Sequence, residues 1–526
     1  MLAALRDIGR PLYAIQDGRG AVLTDRVPHT LDGLAGVIPA VAIENLGSHA
    51  FRKAHNLRYA YVAGAMAGGI ASVDLVVDMA QAGCLGFFGA GALPLPAIEQ
   101  AIRQIQARLA GGESFGVNLL HNYYDEKLEW ATVELFHSLG VTRVEAAAFV
   151  AMTAPLVHYR VSGIHRTPDG RVVAPHHVFA KVSRPEVATQ FLAPPPEALL
   201  SELVAAGKIS AAEAALAAEI PMANELTCEA DSGGHTDRRP LSVLLPMMLQ
   251  ERELANEKYG YSRRGIDIRL GAAGGIGEPL SVHAALAMGA DYIVTGSINQ
   301  ACRQSGTAPT VRKMLAEACM ADVAMCPASD MFEMGGRVQV LKRGTMYPQR
   351  AQRLYELYKA YPSFDAIPLP DRRKVETQIL KRPFAEIWQE TEKYWMARQP
   401  EEAERGRTDE KHRMALCFRW YLGMSSRWAR LGEAARQADY QVWCGPAIGG
   451  LNRWTKGSVL EAAENRDAPA LARALLVGAA VLQRRELAAR AQVRHLPSAV
   501  AAMKLGDTWL VDSKGSLGFQ SAAKAL

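Results

Sequence analysis

The feature that most constrains this chain is a rhythm that starts near residue 58. A short apolar run gives way to a small-residue loop and then to an amphipathic stretch, and the cycle repeats eight times. Strands are expected over 59–63, 84–88, 115–120, 143–149, 177–182, 225–229, 266–270 and 292–295. Helix-like stretches lie between them at 72–82, 95–109, 127–139, 210–218, 241–258 and 279–288. Strand followed by helix implies right-handed crossovers and a parallel sheet. Eight such units over roughly 250 residues fit a closed (β/α)8 TIM barrel, an α/β fold, better than an open doubly wound sheet. An open sheet for dinucleotides would carry a three-glycine fingerprint. The nearest candidate, Gly275-Ile276-Gly277, has Leu280 where the third glycine belongs. The sequence also lacks a Walker loop, a GxSxG elbow and an HExxH helix.

Around the barrel, placed at 56–320, the reading gives an N-terminal leader over 1–55, a mostly helical region over 321–460 and a helical C-terminal segment over 461–526. Beyond residue 320, the stretches 350–358, 374–394, 412–422 and 468–490 read as helices with no strands between them. The charged run 398–413 reads as a solvated loop or helix end. Before the fifth strand, Pro168-Asp169-Gly170 signals a turn.

Composition narrows the function. With 49% hydrophobic and 21% charged residues the chain is ordinary globular material. A net charge of +5 without clustered Lys and Arg argues against nucleic acid. It suits an acidic partner, or simply an ordinary surface. Seven cysteines stand singly, with no CxxC, so a reducing compartment is expected and a structural metal is not. The first residues carry Arg6, Asp7 and Arg10, unlike a signal peptide. The apolar run 474–482 falls far short of the ~20 residues needed to span a bilayer. A cytoplasmic protein without a membrane partner is expected, and a homo-oligomer is left open.

Barrels of this type place their chemistry on the loops after the strands. The loop 271–277 after the seventh strand and Thr295-Gly296-Ser297 after the eighth are rich in small residues. Gly274, Gly275, Gly296 and Ser297 there could bring main-chain N–H groups to a phosphate, or could serve only as tight turns. After the sixth strand comes Glu229-Ala230-Asp231-Ser232-Gly233-Gly234-His235-Thr236-Asp237. His235 is the candidate catalytic group, with Asp231 or Asp237 available to orient its ring. The loop 64–70 after the first strand could pass its backbone beside a planar ring. Asn118 and Lys181 are polar side chains in otherwise apolar strands, where they could hydrogen-bond that ring; Lys181 could equally reach solvent.

Together these loops resemble the FMN-binding barrel of nitronate monooxygenases and flavin-type enoyl reductases. The longer strings YAYVAGAMAGGIAS (59–72), EADSGGHTDRRP (229–240), GAAGGIGEPLSVHAALAMGADYIVTGSINQAC (271–302), DMFEMGGRVQVLKRGTMYPQRAQRLYELY (330–358) and DYQVWCGPAIGGLNRWTKGS (439–458) resemble the PfaD family of trans-acting enoyl reductases. That resemblance covers about residues 40–460. It implies FMN contacts at Ala65, Met66, Asn118, Lys181, Gly274, Gly275, Gly296 and Ser297, with His235 as the principal active-site side chain. It further implies NADPH or NADH as hydride donor and acyl carrier protein domains of a polyketide or polyunsaturated fatty acid synthase as partners. Ala147 stands where the family is expected to place serine, and Asn224, Glu225 and Cys228 also depart from the commoner residues; none falls on an implied flavin contact. Two other readings share the barrel: a nitronate monooxygenase-type oxidase, and a flavin-binding scaffold without turnover.

Overall fold

In the computed structural model, which describes residues 1–122, 125–505, 509–511 and 517–519, eight parallel strands close into a barrel. They are β1 (Tyr61–Ala63), β2 (Leu85–Phe88), β3 (Phe115–Leu120), β4 (Arg143–Ala147), β5 (His177–Val182), β6 (Glu225–Glu229), β7 (Arg269–Ala273) and β8 (Tyr292–Thr295). Around the barrel they run β5-β6-β7-β8-β1-β2-β3-β4, and β4 pairs with β5 to close it. The expected TIM barrel is therefore present.

One strand is displaced from its sequence reading. β7 begins at Arg269 rather than 266 and runs on through Gly271-Ala272-Ala273. Gly271 belongs to the strand because the Tyr292 ring fills its side-chain space: a Cβ there would lie 2.1 Å from that ring. The glycine-rich turn proper starts at Gly274.

The leader contributes a three-stranded antiparallel sheet (Leu12–Gln16, Ala21–Thr24, Leu34–Ile38) and a short helix, His49–His55. Ser48 caps that helix by accepting from the Phe51 N–H. Its Phe51 is fully buried and stacks on Tyr292 at 4.2 Å, within an apolar cluster that includes Val62, Leu85, Phe87 and Phe179. The leader's backbone is gathered by one buried cation. Arg484, on the helix Ala468–Arg490, donates to the carbonyls of Ala4, Leu5, Arg10 and Pro39. The turn signalled at 168–170 is present, Gly170 donating to the Thr167 carbonyl between two short paired strands.

The described residues form two compact units. One comprises the described residues of 1–231, 238–306 and from 453 onward; the other comprises 232–237 and 307–452. The second unit corrects the expectation of strand-free helices after residue 320. Two strands, β9 (Val323–Pro327) and β10 (Arg337–Leu341), pair antiparallel, and Gly234–His235 pairs with β10 on its other side. A five-residue apolar run does not distinguish strand from buried helix, and no local signal announces such pairing. The charged run 398–413, read as a solvated loop or helix end, holds helix ends and no long loop. It is helical, as Pro400–Thr408 with proline in its first turn and then Glu410–Leu431, capped by Asp409 accepting from the His412 N–H. The helix expected over 374–394 is broken, a wide turn at Val375–Leu380 preceding Phe384–Met396. These helices share a core of Phe332, Tyr347, Leu354, Phe364, Ile387 and Phe418. Buried Asp439 ties them further, receiving Tyr421 Oη at 2.8 Å and pairing with Arg350, Arg436 and Lys381. No helix among the described residues is long and apolar enough to cross a membrane.

Candidate active site

The candidate residues of the first unit lie on β1, β3, β5, β6, β7 and β8 or on the turns that follow them. Ala65 and Met66 follow β1. The Ala65 N–H donates to Glu145 Oε2 at 3.0 Å, and the Met66 carbonyl accepts from Ala71 at 3.1 Å. Asn118 on β3 stands opposite Glu145 of β4 in the strand register and is buried. Its amide oxygen accepts from the Gly91 N–H at 3.1 Å, and its nitrogen donates to the Glu145 carbonyl at 3.4 Å. So Asn118 holds the loop after β2 from inside the barrel.

Lys181, on β5, lies between two carboxylates. Its Nζ sits 3.3 Å from Glu229 Oε1, at the end of β6. Burial works against its charge, yet Glu229 and then Glu145 outweigh burial and hold the ammonium above the ordinary lysine value. Burial pushes the Glu145 carboxyl up, toward its neutral form, against the opposing pull of Lys181 and the Ala65 N–H. The sequence reading does not single out Glu145 and Glu229. Glu145 carries the same signal as Asn118 and Lys181, a polar residue inside an apolar strand.

After β7 the chain turns through Gly274 and Gly275, both at positive φ (84° and 71°), a region that disfavours any side chain. A Cβ on Gly274 would lie 2.7 Å from the Ala230 backbone, whereas Gly275 and Gly296 meet no atom within 4 Å. These two open positions leave main chain approachable by a ligand. Gly296 is followed by the one-turn helix Ser297–Gln300, whose Asn299 donates to both oxygens of Thr295.

His235 belongs to the second unit, as does Asp237, while Asp231 falls in the first. The short strand Gly234–His235 is fixed by pairing with β10, His235 opposite Val338, and buried Gln339 donates to the Ser232 carbonyl at 2.7 Å. Gly233 packs against Cys444-Gly445 so closely that a Cβ on either glycine would come within 2.8 Å of the other segment's backbone. This accounts for glycines in both the GGH and the CGP strings. A carboxylate the sequence does not suggest also meets the histidine: His235 Nε2 lies 3.1 Å from Asp330 Oδ1, 95 residues away. Burial pushes Asp330 up, but the His235 hydrogen bond and charge prevail and hold its carboxyl below the usual range. An anionic Asp330 favours a proton on Nε2 and fixes the ring plane. Two polar groups are thus prepared separately: a charge-balanced lysine on the barrel strands, and an oriented imidazole on the small sheet.

A family model described as nitronate monooxygenase matches residues 50–344, more than half of the 526. The chain belongs to the nitronate monooxygenase family. Within that membership its helical part is distinctive: residues 361–440 match a second model, the inserted helical domain of acyl-carrier-protein S-malonyltransferase. A polyunsaturated fatty acid synthase component from Thraustochytrium sp. is 43% identical over 485 residues, covering 91% of this chain and 32% of that protein. Polyketide biosynthesis protein PksE of Bacillus subtilis is 42% identical over 455 residues, covering 86% of this chain and 58% of that protein. The chain thus spans about a third and somewhat over half of these two relatives. Among solved structures, the enoyl reductase domain of MlnA from the macrolactin cluster of Bacillus amyloliquefaciens superposes with a TM-score of 0.81 at 35% identity. The match covers 85% of this family member and 100% of the MlnA domain. The chain therefore shares the fold of the MlnA enoyl reductase domain, and its relatives include components of polyketide and polyunsaturated fatty acid synthesis.

Proposed function

We propose that the protein is an FMN-dependent, NAD(P)H-oxidising, trans-acting enoyl reductase that saturates the 2,3-double bond of enoyl thioesters on acyl carrier protein. The observation that carries this reading is the likeness to the MlnA enoyl reductase domain over that domain's whole length. The residues present fit the cofactor. Gly275 and Gly296 leave unfilled the space a side chain would take, which suits a phosphate held by main-chain amides with Gly274 and Ser297. Ala65 and Met66 would border the ring, with Asn118 and Lys181 beside it. A lysine kept charged by Glu229 and Glu145 is suited to a ligand edge rich in oxygen and nitrogen.

The chemistry FMN supplies when bound is hydride transfer from NADPH or NADH to the β-carbon of the enoyl thioester. His235 would give a proton to the α-carbon, or hold the thioester carbonyl as negative charge develops there. Asp330, accepting from Nε2, would keep the imidazole turned and favour its cationic form, whose other nitrogen, Nδ1, would be the one that gives the proton. The malonyltransferase-like helices 361–440 supply a reason to expect a carrier-borne substrate.

Incubation of FMN-loaded protein with NADPH and a crotonyl-carrier thioester is expected to add two hydrogens to the acyl group, read by intact mass. An unchanged crotonyl mass, together with turnover of alkyl nitronates under oxygen, would transfer the protein to the oxidase reading.

A further inference from the structure

Glu145 is a buried acid in an apolar strand, 2% exposed, and the proposed reaction requires no carboxyl at its position. Its side chain leaves β4 and crosses the barrel to the loop after β1, three strands away in the order of the sheet. There Oε2 accepts the Ala65 N–H at 3.0 Å. Its other oxygen lies against Gly64, where a Cβ would stand 3.4 Å from Oε1. The neighbouring Gly64 N–H donates to the Thr295 carbonyl of β8 at 3.0 Å. The loop is thus pinned twice, once by the adjacent strand and once from across the lumen. Asn118 makes a shorter-range contact of the same kind, receiving the Gly91 N–H of the loop after the neighbouring strand β2.

We propose that Glu145 is a positioning residue that fixes the Ala65–Met66 backbone from across the barrel and so shapes the wall against which the cofactor ring rests. The cofactor half of this proposal rests on the flavin reading; the tether itself does not. The contact with the Ala65 N–H asks only for an acceptor, which a carboxamide oxygen also supplies, and Glu229 at 3.3 Å remains to balance Lys181 when the Glu145 charge is removed. A leucine of similar size cannot accept, and aspartate is one methylene too short to reach.

Two measurements on the full chain separate these parts. In apo-protein, amide hydrogen exchange at Ala65 is expected to quicken about tenfold in Glu145→Leu, the scale of one net hydrogen bond, and to stay near wild type in Glu145→Gln. Glu145→Asp should behave as leucine does, and stands in for it if the leucine variant aggregates. In FMN titrations followed by quenching of flavin fluorescence, leucine and aspartate should weaken binding about tenfold and shift the bound absorption spectrum, with glutamine restoring both. Unaltered exchange in the leucine or aspartate variant, or a glutamine variant as fast as they are, defeats the tether. Quickened exchange with unaltered FMN affinity defeats its proposed bearing on the cofactor. If wild-type protein takes up no FMN, the flavin reading fails, and the exchange data still decide whether Glu145 holds the loop.

Discussion

His235→Ala is expected to lower turnover of a crotonyl-carrier substrate at least about tenfold, a cautious floor for one lost general acid, while FMN content stays near wild type. The imidazole is on the second unit, and the glycines, Asn118 and Lys181 assigned to the cofactor are on the first. None of the contacts assigned to the cofactor is made by His235, so loss of its ring is expected to spare cofactor retention. Asp330→Asn should fall between: it leaves a hydrogen-bonding partner at the end of the 3.1 Å contact but removes the charge that keeps Nε2 protonated. Its mark would be a pH–rate profile whose histidine limb moves to lower pH, which a merely structural change would not produce. Unchanged turnover in His235→Ala would take the residue out of the mechanism.

The second large effect concerns stability. Glu225 is fully buried at the start of β6 and receives His55 Nε2 at 2.9 Å and Arg269 Nε at 3.0 Å. Burial pushes its carboxyl up, yet Arg269 and His55 outweigh burial and hold it well below the usual carboxylate range. Glu225→Gln keeps the shape but leaves the buried Arg269 guanidinium only the longer 3.9 Å pairing with Asp267, which is expected to cost about 3 kcal/mol, the low end for a broken buried pair. A chemical-denaturation midpoint for the barrel within error of wild type would refute this. The pH response follows from the same cluster. With a depressed carboxyl, the contribution of Glu225 is complete above the unfolded carboxylate value. It is lost only as pH falls through the still lower folded one. The histidines act earlier. Burial pulls His177 down to about 3, and His176 and His137 to about 4, so the folded chain refuses protons that the unfolded chain accepts below ~6.5. Wild-type stability should decline on acidification from about pH 6.5, before the carboxylates titrate.

The barrel is legible in the sequence because its signal is local. Each strand is a few apolar residues, each loop a few small ones, and eight repetitions leave little room for another fold. Even the displacement of β7 has a local cause, since glycine reads as a turn and only the Tyr292 ring reveals why Gly271 stays in the strand. The second unit is hard to read for the opposite reason. Pairing of Gly234–His235 with Arg337–Leu341 joins segments about a hundred residues apart, and neither carries a local mark of it. For the same reason sequence reasoning offers Asp231 and Asp237 to orient His235 but does not reach Asp330, 95 residues away. Glu145 is within reach: the rule that selects Asn118 and Lys181 applies to it unchanged. The charged run 398–413 reads as a solvated loop or helix end because exposed helices and solvated loops look alike in composition. Pro400 and Asp409, placed as helix starters, hold the contrary information.

What bears most directly on the whole account is whether the barrel takes up FMN and passes it reducing equivalents. Apo-protein titrated with FMN should show saturable, one-to-one quenching of flavin fluorescence, and the loaded protein mixed anaerobically with NADPH should lose its visible flavin absorption. Protein that stays colourless in excess FMN, or a bound flavin that neither NADPH nor NADH bleaches, would contradict it.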